Sequence, residues 1–213
     1  MNTVNTEHLV QSSYASYASY ASYASYASLL RSSIGLTIVG LGLCGFLYSA
    51  TATGLGQLLF PAQANGSLIE LDGKIVGSSL VAQPFTDPKY FQPRPSAANY
   101  DPMAMAGSNM ARTNPELTKI IEQRIADIEA RDHIEGRQIP SDLVTASGSG
   151  IDPEISLKSA MIQVKRVAEA RHLSDQQVIE LIQQYTLKPT FGVLGQERIN
   201  VLELNLALDQ IRE

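Results

Sequence analysis

The stretch IGLTIVGLGLCGFLYSATAT, residues 34–53, decides how the rest of the chain is read. No Asp, Glu, Lys, Arg or His occurs between Ser32 and Ile69. A helix rises 1.5 Å per residue, so about twenty such residues span about 30 Å, the hydrocarbon thickness of a bilayer. A secretory signal has a shorter apolar core, about 7–15 residues, closed by a small-residue cleavage site. Ser49-Ala50-Thr51 or Ala50-Thr51-Ala52 would have to supply that site. The length favours an uncleaved transmembrane helix, placed at residues 32–55.

This helix is rich in glycine, with Gly35, Gly40, Gly42 and Gly45. Gly45, Ser49 and Thr53 recur every fourth residue, which puts them on one helix face. Small residues at that spacing let another helix approach closely, because lipid offers no hydrophobic force for association. Glycine is also simply frequent in membrane helices. Arg31 abuts the expected start of the span, and no Lys or Arg follows until Lys74. The positive-inside rule then places the N-terminus in the cytoplasm and the bulk of the chain outside it.

Outward from the span, the composition segregates. The 213 residues carry a net charge of −5, and Arg31 and Glu7 balance each other before the span. The acidic excess therefore belongs to the part beyond residue 69. An acidic balance without a basic cluster excludes nucleic-acid binding as the main task. The single cysteine, Cys44, cannot form an internal disulfide, and His8, His133 and His172 are too scattered for a zinc site. Residues 14–28 repeat Tyr-Ala-Ser, with tyrosines at 14, 17, 20, 23 and 26. A period of three fits neither a helical stripe nor a strand, so residues 1–31 read as a low-complexity cytoplasmic tail.

Residues 56–213 read as one mixed α+β domain. Apolar runs flank Asp72-Gly73, so 67–82 reads as a hairpin. Six prolines between 83 and 115 (84, 88, 93, 95, 102 and 115) exclude a helix interior or central strand over most of that stretch. Its aromatics Phe85, Tyr90, Phe91 and Tyr100 mark an ordered loop. Asn114-Pro115-Glu116 is a helix start, with Leu117, Ile120, Ile121, Ile125 and Ile128 at helical spacing over 115–131. Further helices are expected near 156–171 and over 175–187, the latter capped by Ser174. Residues 199–212 are read as a short strand running into a helix.

Chemistry is sparse in this pattern. Thr145-Ala146-Ser147-Gly148-Ser149-Gly150 could present amides and hydroxyls to an anion, with Thr145, Ser147 and Ser149 as the side chains concerned, or form a tight structural turn. It lacks the Gly-Lys-Ser/Thr of a P-loop, and the chain has no Gly-x-Ser-x-Gly elbow. Asp142 and Asp152 flank the loop, but no nearby histidine completes an acid–base set. Arg94, held between Pro93 and Pro95, suits a carboxylate partner. No catalytic, cofactor or metal residue is assigned on these grounds.

Several segments resemble the C subunit of Kdp-type potassium-transporting ATPases. They are Gly54–Pro61 with Gln63–Leu68, Tyr90-Phe91 with Pro93–Ala97, Gly107-Ser108-Asn109, Ile139-Pro140 with Asp142–Gly150, Asp152-Pro153, and Asn200–Asp209. They cover roughly residues 33–211 in the family's order. Gln92 and Glu154 stand where that family usually has histidine, and the Tyr-Ala-Ser tail has no counterpart.

The resemblance implies a bacterial inner-membrane complex of a potassium-conducting subunit, a P-type ATPase subunit, a small peptide and this single-pass subunit with a periplasmic domain. It implies a role in assembly and activity, and in raising the ATPase subunit's affinity for ATP. ATP and potassium are then handled by the complex, and membrane lipid is the other partner. Without an Asp-Lys-Thr-Gly phosphorylation motif, this chain is expected to be a non-catalytic subunit. Arg94, Ser96, Asn109, Asp142, Thr145, Ser147, Ser149 and Asp152 are the candidate interface or loop residues. Two alternatives stand beside this expectation: direct nucleotide binding by the 145–150 loop, and a free-standing membrane-anchored extracytoplasmic binding protein.

Overall fold

A computed structural model describes residues 26–211. The chain divides into two compact units, the first ending at Ala64 and the second beginning at Asn65. Most of the expected tail, residues 1–25, lies outside the described residues; from Tyr26 the chain is already helical.

The first unit is built on one helix, α1, Tyr26–Leu59, without a charged residue after Arg31 and with no buried residue. Its 34 residues make it about 50 Å long, and the expected span 32–55 falls inside it. Its middle, Leu41–Leu47, winds as a π-helix, with the Tyr48 N–H donating to the carbonyl of Leu43. Gly42 and Gly45 sit in that wide turn. Ser49 and Thr53 lie beyond it in regular α-helix, so the step from Gly45 to Ser49 crosses a change of winding. Phe60 leaves helical geometry ahead of Pro61, as a residue preceding proline tends to. A single turn, α2 (Pro61–Ala64), follows.

The second unit is α+β. The hairpin pairs β1 (Leu68–Leu71) with β2 (Lys74–Ser78), antiparallel. Asp72 and Gly73 both have positive φ, as a two-residue hairpin turn demands. Helix α3 (Pro115–Asp132) starts where the sequence predicts, with Asn114 Oδ1 accepting from the Glu116 N–H at 2.9 Å. It ends on His133 in the left-handed region, and a short helical turn, α4 (Ser141–Val144), precedes the next strand.

The expected helix at 156–171 is replaced by three pieces. Residues Glu154–Ser156 form strand β3, Ser156 caps α5 (Leu157–Met161), and α6 (Val164–Arg171) starts afresh. The break at Ile162-Gln163 has a tertiary cause. Gln163 is fully buried and its amide is committed to a distant loop, so local helix propensity yields to that demand. Helix α7 (Asp175–Tyr185) carries a capping box from Ser174 and Gln177. It runs into β4 (Thr186–Leu187). Strand β5 (Arg198–Asn200) then leads into α8 (Val201–Gln210) with Asn200 as cap, the predicted strand-to-helix passage.

Strand β5 lies between β3 and β4 in an antiparallel sheet. The core gathers Phe91, Ile155, Val167, Val178, Ile182, Ile199, Leu204 and Leu208. Phe91 comes from the proline-rich loop, so that loop is part of the core rather than a cover over it.

Candidate interaction site around the Arg94 cleft

The proline-rich segment is fastened to the helices by polar groups that its own backbone cannot satisfy in a sheet. The Phe91 N–H donates to Asn205 Oδ1 at 2.8 Å, and Asn205 Nδ2 donates back to the Phe91 carbonyl at 2.9 Å. Gln163 repeats the pattern one residue on, accepting from the Gln92 N–H at 2.8 Å and donating to its carbonyl at 3.2 Å. Arg166 donates to the carbonyls of Pro88 and Tyr90 and pairs with buried Asp132 at 2.6 Å. Burial pushes the Arg166 guanidinium below its ordinary pKa, while Asp132 acts against that shift. Arg171 reaches the Lys89 carbonyl and Asp209, and stacks over the Tyr90 ring.

With residues 88–92 anchored, the following turn delivers Arg94 to a cleft of about 490 Å³. Arg94, Asp142, Asp152, Glu154, Lys158 and Arg198 are among its lining residues. Arg94 Nη1 donates to Asp152 Oδ2 at 2.7 Å, while its buried Nε has no partner. Arg198 pairs with Glu154 at 2.9 Å. Asp142 accepts from the Ser156 N–H, the Ser156 hydroxyl and the Ser159 hydroxyl, at 2.9, 3.2 and 2.7 Å. It therefore closes the start of α5.

Three of the sequence-derived candidates, Arg94, Asp142 and Asp152, thus meet in one cleft. Ser96 lies behind them, donating to the Gly150 carbonyl at 2.5 Å and accepting from the N–H groups of Ala98 and Tyr100. Tyr100 donates its hydroxyl to the Arg94 carbonyl at 3.0 Å. Burial raises the Tyr100 pKa, and nearby Arg124 opposes the rise. The 145–150 loop is tied to the same segment. The Ser147 N–H donates to the Pro95 carbonyl, the Gly150 N–H to Ser147 Oγ, and the Ile151 N–H to Ser149 Oγ. Thr145 Oγ1 turns back to the Ser141 carbonyl. Asn109 is exposed with positive φ and does not line the cleft.

In the cleft Arg94 pairs with Asp152 and Arg198 with Glu154, while Asp142 is held by neutral donors. Asp142 and Asp152 are each engaged by donors, and the described histidines, His133 and His172, both terminate helices in left-handed geometry. At the two departures from the resembling family, Gln92 accepts from Arg131 and Glu154 pairs with Arg198. Sequence reasoning missed Gln163, Arg166 and Asp132, which sit in ordinary helical patterns. Asn205 carried a signal: it is the polar residue that interrupts the apolar run Leu204–Leu208.

The K+-transporting ATPase c chain family matches residues 30–210. The chain is 54% identical over 181 residues to the "Potassium-transporting ATPase KdpC subunit" of Xanthomonas campestris pv. campestris (strain B100), covering 85% of this chain and 87% of that one. It is 50% identical over 182 residues to the protein of the same name from Shewanella putrefaciens (strain CN-32), with 85% and 89% covered. For the Methylococcus capsulatus (strain Bath) protein of that name, the identity is 52% over 171 residues, with 79% and 90% covered.

Proposed function

The chain belongs to the K+-transporting ATPase c chain family, and we propose that it works as the accessory, non-catalytic subunit of an ATP-driven potassium uptake complex in the bacterial inner membrane. In this reading α1 crosses the membrane with its N-terminus in the cytoplasm. It docks on the potassium-conducting subunit, the ATPase subunit or the small peptide through the face of Gly45, Ser49 and Thr53. The second unit stands in the periplasm, where its acidity enriches cations within about 8 Å at physiological salt. The chain supports assembly and activity of the pump.

The observation that carries the non-catalytic part is the state of the 145–150 loop. Its hydroxyls and several of its amides are bonded within the chain, to Pro95, Ser141, Ile151 and each other. A loop so occupied is poorly suited to cradle a nucleotide. Any influence on ATP affinity then travels through the partner subunits as a coupling free energy between separate sites.

Topology labelling tests this. With Cys44→Ala as background, Ser149→Cys is exposed to a membrane-impermeant thiol reagent in intact cells whose outer membrane admits it. Labelling from outside is expected, and it excludes direct contact with cytoplasmic ATP. Protection until the cells are lysed would place the loop in the cytoplasm and sink the reading.

A further inference from the structure

Arg124 and Arg131 stand two turns apart on one face of α3, about 10 Å along its axis. Both line a pocket of about 210 Å³, none of whose lining residues lines the Arg94 cleft. Pro93 and Pro95 wall it from the proline-rich segment, Leu143 from α4 and Ile128 from α3 itself.

Arg124 is unlike every other base among the described residues. It is half-buried and makes no ion pair. The others without an ion pair, Arg31, Lys74, Arg112, Lys158 and Lys188, are exposed to solvent. One N–H of its guanidinium is used, with Nη1 donating to the Val144 carbonyl at 2.9 Å. Burial pulls Arg124 below the ordinary arginine pKa, and nearby Tyr100 opposes the fall. A charge partly withdrawn from water without a counter-charge is held at a cost, which an anion brought to it would offset.

The neighbouring charges do not supply that anion. Asp127 also lines the pocket, but it is exposed, accepts from the Gln123 amide at 2.8 Å and pairs with neither arginine. Asp132 pairs with Arg131 and is shared with Arg166. Three guanidiniums therefore stand against two carboxylates, in a domain whose acids outnumber its bases.

Size and wall chemistry narrow the ligand. The volume falls below the about 300–1,000 Å³ of pockets that take drug-sized molecules, so a nucleotide does not fit. A planar carboxylate matches a guanidinium fork, and a short carbon chain matches the proline, isoleucine and leucine walls. Inorganic phosphate brings no carbon to those walls.

We propose that this pocket binds one carboxylate carried on a short carbon chain, with Arg124 receiving it and Arg131 supplying a second positive charge. A free small carboxylic acid and a Glu or Asp side chain of another protein share that chemistry. The site stands apart from the accessory-subunit reading, because its first test needs only this chain.

That test titrates the full chain in detergent with butyrate, against chloride, inorganic phosphate and the neutral isostere butyramide at matched ionic strength. Butyrate should raise the melting temperature saturably, and the three controls should not. Arg124→Gln should weaken butyrate binding about tenfold or more, as loss of a charge-assisted bond does. Asp127→Asn removes the exposed carboxylate in the wall and should tighten binding about threefold. It decides the matter if Arg124→Gln does not fold. No saturable response, phosphate acting as well as butyrate, unchanged affinity in folded Arg124→Gln, or no tightening in Asp127→Asn overturns the proposal. Repeating the titration on the complex with the pump's other subunits separates the two sources. Butyrate binding retained there assigns the site to a free acid. Binding blocked there, with Arg124→Gln lowering complex recovery, assigns it to a partner's acidic side chain.

Discussion

Asn205 and Phe91 are joined in both directions, side-chain amide to backbone amide, at 2.8 and 2.9 Å, in the fully buried core. The pair does for a proline-rich loop what a neighbouring strand does for a sheet. It satisfies an N–H and a carbonyl that would otherwise be buried unpaired.

Replacing Asn205→Leu keeps the branched four-atom skeleton and removes both bonds. Each orphaned backbone group costs about 1–3 kcal/mol, so a loss of about 2–6 kcal/mol is expected in urea unfolding of the full chain in detergent. Asn205→Asp retains the acceptor for the Phe91 N–H and should cost less in its neutral form. A loss below about 0.5 kcal/mol for Asn205→Leu would show that the loop finds other partners.

Asp132 and Arg166 form the second anchor, at 2.6 Å with the Asp132 side chain fully buried. Asp132→Ala leaves a buried guanidinium without its counter-charge and should destabilise by about 3–5 kcal/mol. Adding Arg166→Met to it should recover part of that loss, because the uncompensated charge goes too. A double variant less stable than Asp132→Ala alone would mean that the Pro88 and Tyr90 carbonyls need Arg166 more than Arg166 needs Asp132.

These anchors explain what could be read from the chain and what could not. The hairpin at Asp72-Gly73, the start of α3 at Asn114-Pro115 and the passage of β5 into α8 are local. Each is written in turn chemistry, a cap or a change of hydrophobic period, and each stands where that signal puts it. Strand β3 and the break at Ile162-Gln163 are not local. They exist because Arg198–Asn200 arrives to pair with Glu154–Ser156, and because Gln163 reaches Gln92 across the core. In the same way, Arg94, Asp142 and Asp152 were legible as residue types held by proline and glycine, while their meeting in one cleft depends on that long-range pairing.

Tyr100 predicts an alkaline transition. Burial raises its folded-state pKa above the usual value near 10, and Tyr90 is raised as well, chiefly by burial and then by its bond to Asp209. A raised pKa means the unfolded chain loses the proton first. The stabilisation is complete below about pH 10 and declines as pH climbs toward the folded-state value. Tyr100→Phe should be less stable by about 1 kcal/mol near pH 8, having lost the bond to Arg94. Between about pH 9 and 11 its urea midpoint should fall less steeply than the wild type's. Parallel declines would remove Tyr100 from the account.

Gly150 is the point where the 145–150 loop passes closest to the proline-rich segment. It has φ 77, and a Cβ there would lie 2.7 Å from the Ala106 carbonyl oxygen and 2.8 Å from Ala98 Cβ. Gly150→Ala should therefore cost about 1–3 kcal/mol. It should also loosen Arg94 from Asp152, through the Ser96 bond to the Gly150 carbonyl. Hydrogen exchange at Ile151 and Glu154 would rise together if the two segments act as one unit, and Ile151 alone would rise if they do not.

The membrane helix offers a test in which the isolated chain is nearly silent. A Cβ added at Gly45 meets nothing within 4 Å, so Gly45→Ile perturbs no contact within the chain. Ser49→Ile is similarly exposed. If the small-residue face docks on a partner helix, each substitution should lower complex recovery while helicity holds, since close backbone approach is what small residues permit. The π-helical turn at Leu41–Leu47 adds a distinction. Ser49 and Thr53 share a face within regular α-helix, whereas Gly45 reaches that face only across the wider turn. Ser49→Ile and Thr53→Ile should therefore weaken recovery alike, with Gly45→Ile departing from the pair. Equal recovery for all three and the wild type would mean that α1 is an anchor and the second unit alone holds the complex.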